Sequence, residues 1–76
     1  MHYTIAEMDE IHGDVKLNFD KKGDYYTVGL YHKILREYTH KDFTDGADAL
    51  ARFLKLTSYI LTGRYSYSDR KRLLLE

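Results

Sequence analysis

The first side chains to test for chemistry are the four histidines, His2, His12, His32 and His40. None stands in the spacing that puts two ligands on one helix face, and with no cysteine in the chain neither a thiolate metal site nor a disulfide is available. A pair brought together by folding is the remaining route to a metal, and His32 with His40, readable as neighbours on adjacent strands, is the pair to check. Ser58, Ser66 and Ser68 offer hydroxyls, but none lies in a Gly-x-Ser-x-Gly elbow and no ordered His/Asp partner accompanies them. The carboxylates at Asp9-Glu10 and at Asp45 and Asp48 stand where helix starts would use them for capping and for the helix dipole. The five glycines are isolated, so no phosphate-cradling loop exists. These residues predict no catalytic centre, no cofactor and no metal.

Tyrosine is the residue type in excess, with eight in 76 residues. Tyr26, Tyr38 and Tyr59 fit a core. Tyr25, Tyr31, Tyr65 and Tyr67 need another explanation, and large amphipathic rings give contact area at low entropic cost in a protein interface. Tyr65 and Tyr67 belong to a segment that also carries Arg64, Arg70, Lys71 and Arg72. Cations for phosphates interleaved with rings for bases are what single-stranded nucleic acid requires, although four cations make a small footprint.

Positioning these groups falls to one small domain over residues 1–76. The final Leu75-Glu76 reads as a scar preceding an affinity tag. Twelve basic against twelve acidic residues give zero formal charge and a pI near 6.9, which excludes a binder of nucleic acid or anionic membrane that works by bulk charge. The neutrality conceals an acidic front, net minus three over residues 1–24, and a basic end, net plus two over 63–76. No apolar run approaches the roughly 20 residues that span a bilayer, and Met1-His2-Tyr3-Thr4-Ile5 lacks the regions of a signal peptide, so a cytoplasmic protein without membrane contact is expected.

Thr4 and Glu7 have the form of a capping box and predict a short helix over Ile5–His12, with Ile5, Met8 and Ile11 on one face and Gly13 as its stop. Val15, Leu17 and Phe19 alternate with polar residues as a strand does, Lys21-Lys22-Gly23-Asp24 reads as a hairpin turn, and Tyr25–Tyr31 is the partner strand. Its buried parity is Tyr26, Val28 and Leu30, which leaves Tyr25 and Tyr31 outward. Ile34–His40, turned at His32-Lys33, predicts a third strand, though Ile34, Leu35 and Tyr38 also match a helical spacing. From Thr44 the period becomes helical, with Thr44 or Asp45 as cap. Ala47, Leu50, Phe53, Leu54, Thr57, Ile60 and Leu61 form the apolar stripe, and Gly63 is the terminator. Leu50, Phe53 and Leu54 are expected deepest in the core. Ser66 or Ser68 offers a cap for a short, fraying last helix that carries Leu73 and Leu74.

The expected architecture is α+β, a three-stranded antiparallel meander packed on a central helix in the order α-β-β-β-α-α. In size, lack of Cys and Pro, and inferred element order, the chain resembles many small phage or prophage proteins, among them some anti-CRISPR inhibitors. That resemblance is of architecture and carries over no residue. It implies a non-catalytic protein-binding domain, an inhibitor or regulator whose partner is another protein or a second copy of itself. The alternative is a small nucleic-acid-associated regulatory protein that uses the basic-aromatic C-terminal segment.

Overall fold

The computed structural model describes residues 1–10 and 14–76. Four antiparallel strands, β1 (His2–Asp9), β2 (Val15–Lys22), β3 (Tyr25–His32) and β4 (Glu37–Phe43), pair in chain order. They are followed by α1 (Gly46–Leu61), a 3-10 turn (Tyr67–Asp69) and α2 (Arg70–Leu75). The class is α+β, but the sheet has four strands rather than three and the order is β-β-β-β-α-α. Residues 5–9 of the predicted first helix belong to β1, so the element order that was one of the grounds for the likeness to small phage inhibitors is not the one observed.

The reason for the missed strand is a bulge. Thr4 opposes Asp20 and Ala6 opposes Phe19, so Ile5 is an extra residue in the ladder with β2. An inserted residue switches the parity of everything after it. Tyr3 lies on the core side before the bulge and Ala6 and Met8 lie there after it, which breaks the period-two alternation and gives Ile5 and Met8 a helical spacing. The predicted helix also took in Ile11, His12 and Gly13, which lie outside the described residues.

The hairpin between β2 and β3 matches the pattern, with Gly23 at φ +68°, a conformation glycine adopts without steric cost. In its register Val15 opposes His32, Leu17 opposes Leu30 and Phe19 opposes Val28. Opposed residues share a face, so these six form the inner surface on which α1 packs. The next strand begins later than predicted, at Glu37, because Arg36 turns at φ +53° and leaves Ile34 and Leu35 at the tip of the β3–β4 connection.

Asp45 caps α1, its Oδ1 accepting from the Ala47 amide at 2.8 Å, and Gly63 at φ +72° ends it, as predicted. The buried face of α1 is Ala49, Phe53 and Leu56, with Ile60 packed beside them. Of the three residues expected deepest in the core only Phe53 is there. Leu50 and Leu54 are exposed. Leu73 and Leu74, on the last helix, are fully buried. The end of α2 is held by Arg52, which donates to the Leu74 carbonyl, and by Lys41, which donates to that of Leu75 at 3.2 Å. Among the described residues no helix is long and apolar enough to cross a membrane.

Candidate functional site

At the end of the molecule where β3 turns into β4, the core parity of β3 finishes on His32, buried against the inner face. Its Nε2 lies 2.5 Å from the Tyr65 hydroxyl, the two rings stack at 5.8 Å, and Tyr67 meets the imidazole edge-on at 4.9 Å. Burial pushes the His32 pKa down, and the Arg70 charge adds to that; the opposing Glu37 charge and a weak influence of the Glu37 backbone do not reverse it. Burial also pushes the Tyr65 hydroxyl well above its ordinary range. At neutral pH the pair is therefore uncharged and joined by one proton. His32 Nδ1 is buried with no partner at hydrogen-bond geometry.

Glu37 closes the site from β4. Its carboxylate accepts from the Tyr67 hydroxyl and from Arg70 Nε, the latter at 2.8 Å, and these two hydrogen bonds hold its pKa below the usual carboxylate value. The same hydrogen bond from Tyr67 raises the pKa of that hydroxyl. Arg70 lies 3.8 Å over the Tyr67 ring. Together these contacts fix the segment after α1 onto the strand end and build one wall of a groove of about 340 Å³. Val15, Ile34 and Leu35 supply the apolar remainder, and the lip carries Asp14. Ile34 is 71% exposed and Leu35 57% exposed, although both are large aliphatic residues at the tip of a turn. A concave apolar wall with an exposed aliphatic pair beside it is a shape for receiving a side chain of another molecule.

Sequence reasoning brought Tyr65, Tyr67 and Arg70 to this place by type but missed His32 and Glu37. The signal that finds His32 is parity: it continues the series Tyr26, Val28, Leu30. The remaining cations do not join the cluster. Arg64 stacks on Tyr59 at 4.6 Å and donates to Thr62, Arg72 lies 3.4 Å from Asp69, and Lys71 is exposed on α2. The Ser66 hydroxyl and Arg72 hold the Asp69 pKa down. Arg64, Arg70 and Arg72 are thus each engaged with neighbours within the chain, and Lys71 stands exposed.

Tyr25 and Tyr31 stand on the sheet face away from the helices, as their parity predicts, with Tyr25 exposed and Tyr31 half-buried. Tyr38, assigned to the core by pattern, is on this outer face too, opposite Tyr31. Its ring lies over Gly29, where a Cβ would collide with it, and stacks on His40 at 5.5 Å. The rest of the face is polar and largely self-satisfied. Thr27 donates to Asp42 at 2.8 Å and Asn18 donates to Asp20 at 2.9 Å, while Asp20 Oδ1 is buried without a partner. His40, on this outer face, is separated from His32 by the thickness of the sheet, so the one histidine pair suggested by sequence does not form.

Compared with family models, with curated proteins and with solved structures, the chain matches none.

Proposed function

We propose that this chain is a non-catalytic protein-binding domain, an inhibitor or regulator, that receives an apolar side chain of its partner in the groove around His32. The observation that carries the reading is the exposure of Ile34 and Leu35 beside that groove. An aliphatic pair is costly to leave in water and gives the turn nothing locally, since a β-turn is normally built from Gly, Asn, Asp or Pro. The turn also holds Arg36 at positive φ, a position that glycine or asparagine would occupy at lower cost. Such departures from local preference concentrate where a surface is used. In this reading His32 and Tyr65 are parts of the groove wall rather than an acid–base pair, which is supported by His32 Nδ1 being shut from solvent.

Retention on the immobilised chain tests this reading, using nuclease-treated extract of the source cells. The expected result is a protein that survives nuclease treatment, is retained by the parent and by Tyr25→Ser, and is lost about tenfold or more with Ile34→Ser/Leu35→Ser. Equal retention by the parent and the turn variant, or retention that vanishes with nuclease, would overturn it.

A further inference from the structure

A second concave surface lies at the other end of β4 from His32. Lys41 and Phe43 share the inner parity of that strand, opposite Val28 and Tyr26. Asp48, Arg52 and Lys55 follow at intervals of four and three residues along one flank of α1, with Ala51 between them, so helical spacing brings all four to one side of the helix. Strand and helix flank together enclose a groove of about 410 Å³ lined by these six residues. That volume lies within the roughly 300 to 1,000 Å³ of small-molecule sites.

Three cations and one carboxylate line this groove, and among the described residues none of the four forms an ion pair. Lys41, Arg52 and Lys55 against Asp48 leave two positive charges in excess. Two of the cations are held in place. Lys41 donates to the Leu75 carbonyl and Arg52 to that of Leu74, and their head groups stand 5.3 and 5.7 Å from the centre of the Phe43 ring. A carbonyl positions a cation without neutralising it, and each of these bonds takes one donor of the three on Lys or the five on Arg. The charges are therefore ordered before a ligand arrives, which lowers the entropic cost of binding one. A phosphate monoester carries about −1.5 to −2 at neutral pH on three acceptor oxygens, which matches the excess where a single carboxylate would not. Asp48 adds an acceptor for hydroxyl groups, and Phe43 and Ala51 add apolar surface. We propose that this groove binds a phosphate monoester with a hydroxylated body, a sugar phosphate or a nucleotide, its phosphate between Lys41, Arg52 and Lys55 and its hydroxyls donating to Asp48. The site is separate from the groove around His32, so each reading stands or falls alone.

Titration calorimetry of the purified chain at low salt tests the proposal, with ribose 5-phosphate, adenosine 5′-monophosphate, ribose and inorganic phosphate as probes and circular dichroism to confirm that each variant is folded. At least one of the two monoesters is expected to bind with a dissociation constant below about a millimolar, more tightly than inorganic phosphate, while ribose does not bind. A gain of adenosine 5′-monophosphate over ribose 5-phosphate would assign the apolar surface at Phe43 and Ala51 to a base, and equal affinities would assign the site to a sugar phosphate. Lys55→Gln should weaken the monoester about tenfold or more with the fold unchanged, since its side chain is exposed. Lys71→Gln, which removes an equally exposed cation outside the groove, should leave binding as it is. Asp48→Asn should tighten inorganic phosphate several-fold, because it removes the one negative charge in the lining. Neither monoester binding at millimolar concentration overturns the proposal. So do equal losses from Lys55→Gln and Lys71→Gln, and so does inorganic phosphate or ribose binding as tightly as the monoesters.

Discussion

His32 is a neutral imidazole kept inside by two tyrosine rings, and its titration is where single-residue chemistry shows in the behaviour of the fold. Its pKa in the folded chain lies below the ordinary 6.5. As pH falls, the unfolded chain therefore binds this proton first. The stability linked to His32 is complete above about 6.5 and is lost as pH falls from there toward the depressed folded value. Glu37 and Asp69, whose pKa values are also held down, act in a separate window, below their ordinary 4.5 and 3.8. Thermal unfolding followed between about pH 7 and pH 5 should show a falling Tm in the parent and a flatter profile in His32→Gln, which keeps a hydrogen-bonding group opposite Tyr65. Parallel profiles would mean that His32 takes up its proton as readily folded as unfolded. This residue was legible from the alternation of β3, which turns every second side chain from Tyr26 onward to the inner face, but a histidine closing an apolar series is read as a strand end when the turn is placed one residue early.

At the scale of elements, what could be read was set by how faithfully each segment kept its period. The β2–β3 hairpin keeps strict alternation around a glycine turn and was read correctly. In β1 the bulge at Ile5 shifts the parity and imitates a helix, and in β4 the aliphatic pair at the turn looked like the start of a strand. The helix α1 was placed correctly along the chain and wrongly around its axis, because two apolar rows on one helix leave periodicity unable to say which row meets the sheet. The difference is measurable. Phe53, buried against the inner strands with its ring tilted 6.0 Å from that of Phe19, should cost about 3 to 5 kcal/mol when replaced by alanine. Leu50→Ala should cost well under half of that in dilute solution, where its side chain faces water. Chemical denaturation with equal losses for the two variants would show that the Leu50 row, and not the Phe53 row, is packed on the sheet.

On the scale of the whole molecule, a four-stranded sheet with helices on one side leaves three surfaces, and they differ in how much apolar area the fold leaves unsatisfied. The outer sheet face, to which Tyr25 and Tyr31 pointed as a contact surface, is mostly polar and hydrogen-bonded within itself. Large aliphatic side chains stand exposed at Leu50, Leu54 and Leu61 of α1, at the turn Ile34-Leu35, and at Ile5 and Leu75. Tyr65, Tyr67 and Arg70 were singled out by type alone. Only the fold shows that Tyr65 and Tyr67 line a groove with His32 while Arg70 and Glu37 hold Tyr67 in place, since the partners are about 30 residues distant in sequence and meet through the docking of the segment after α1. The measurement that tests the groove as the contact surface most directly is photo-cross-linking from a photoreactive side chain placed at Leu35, with one at Tyr25 as the reference, in extract of the source cells. Leu35 is predicted to give a protein adduct of defined mass that excess parent chain suppresses and excess Ile34→Ser/Leu35→Ser does not, with no such adduct from Tyr25. An adduct from Tyr25 and none from Leu35 would contradict the account and return the contact to the outer face of the sheet.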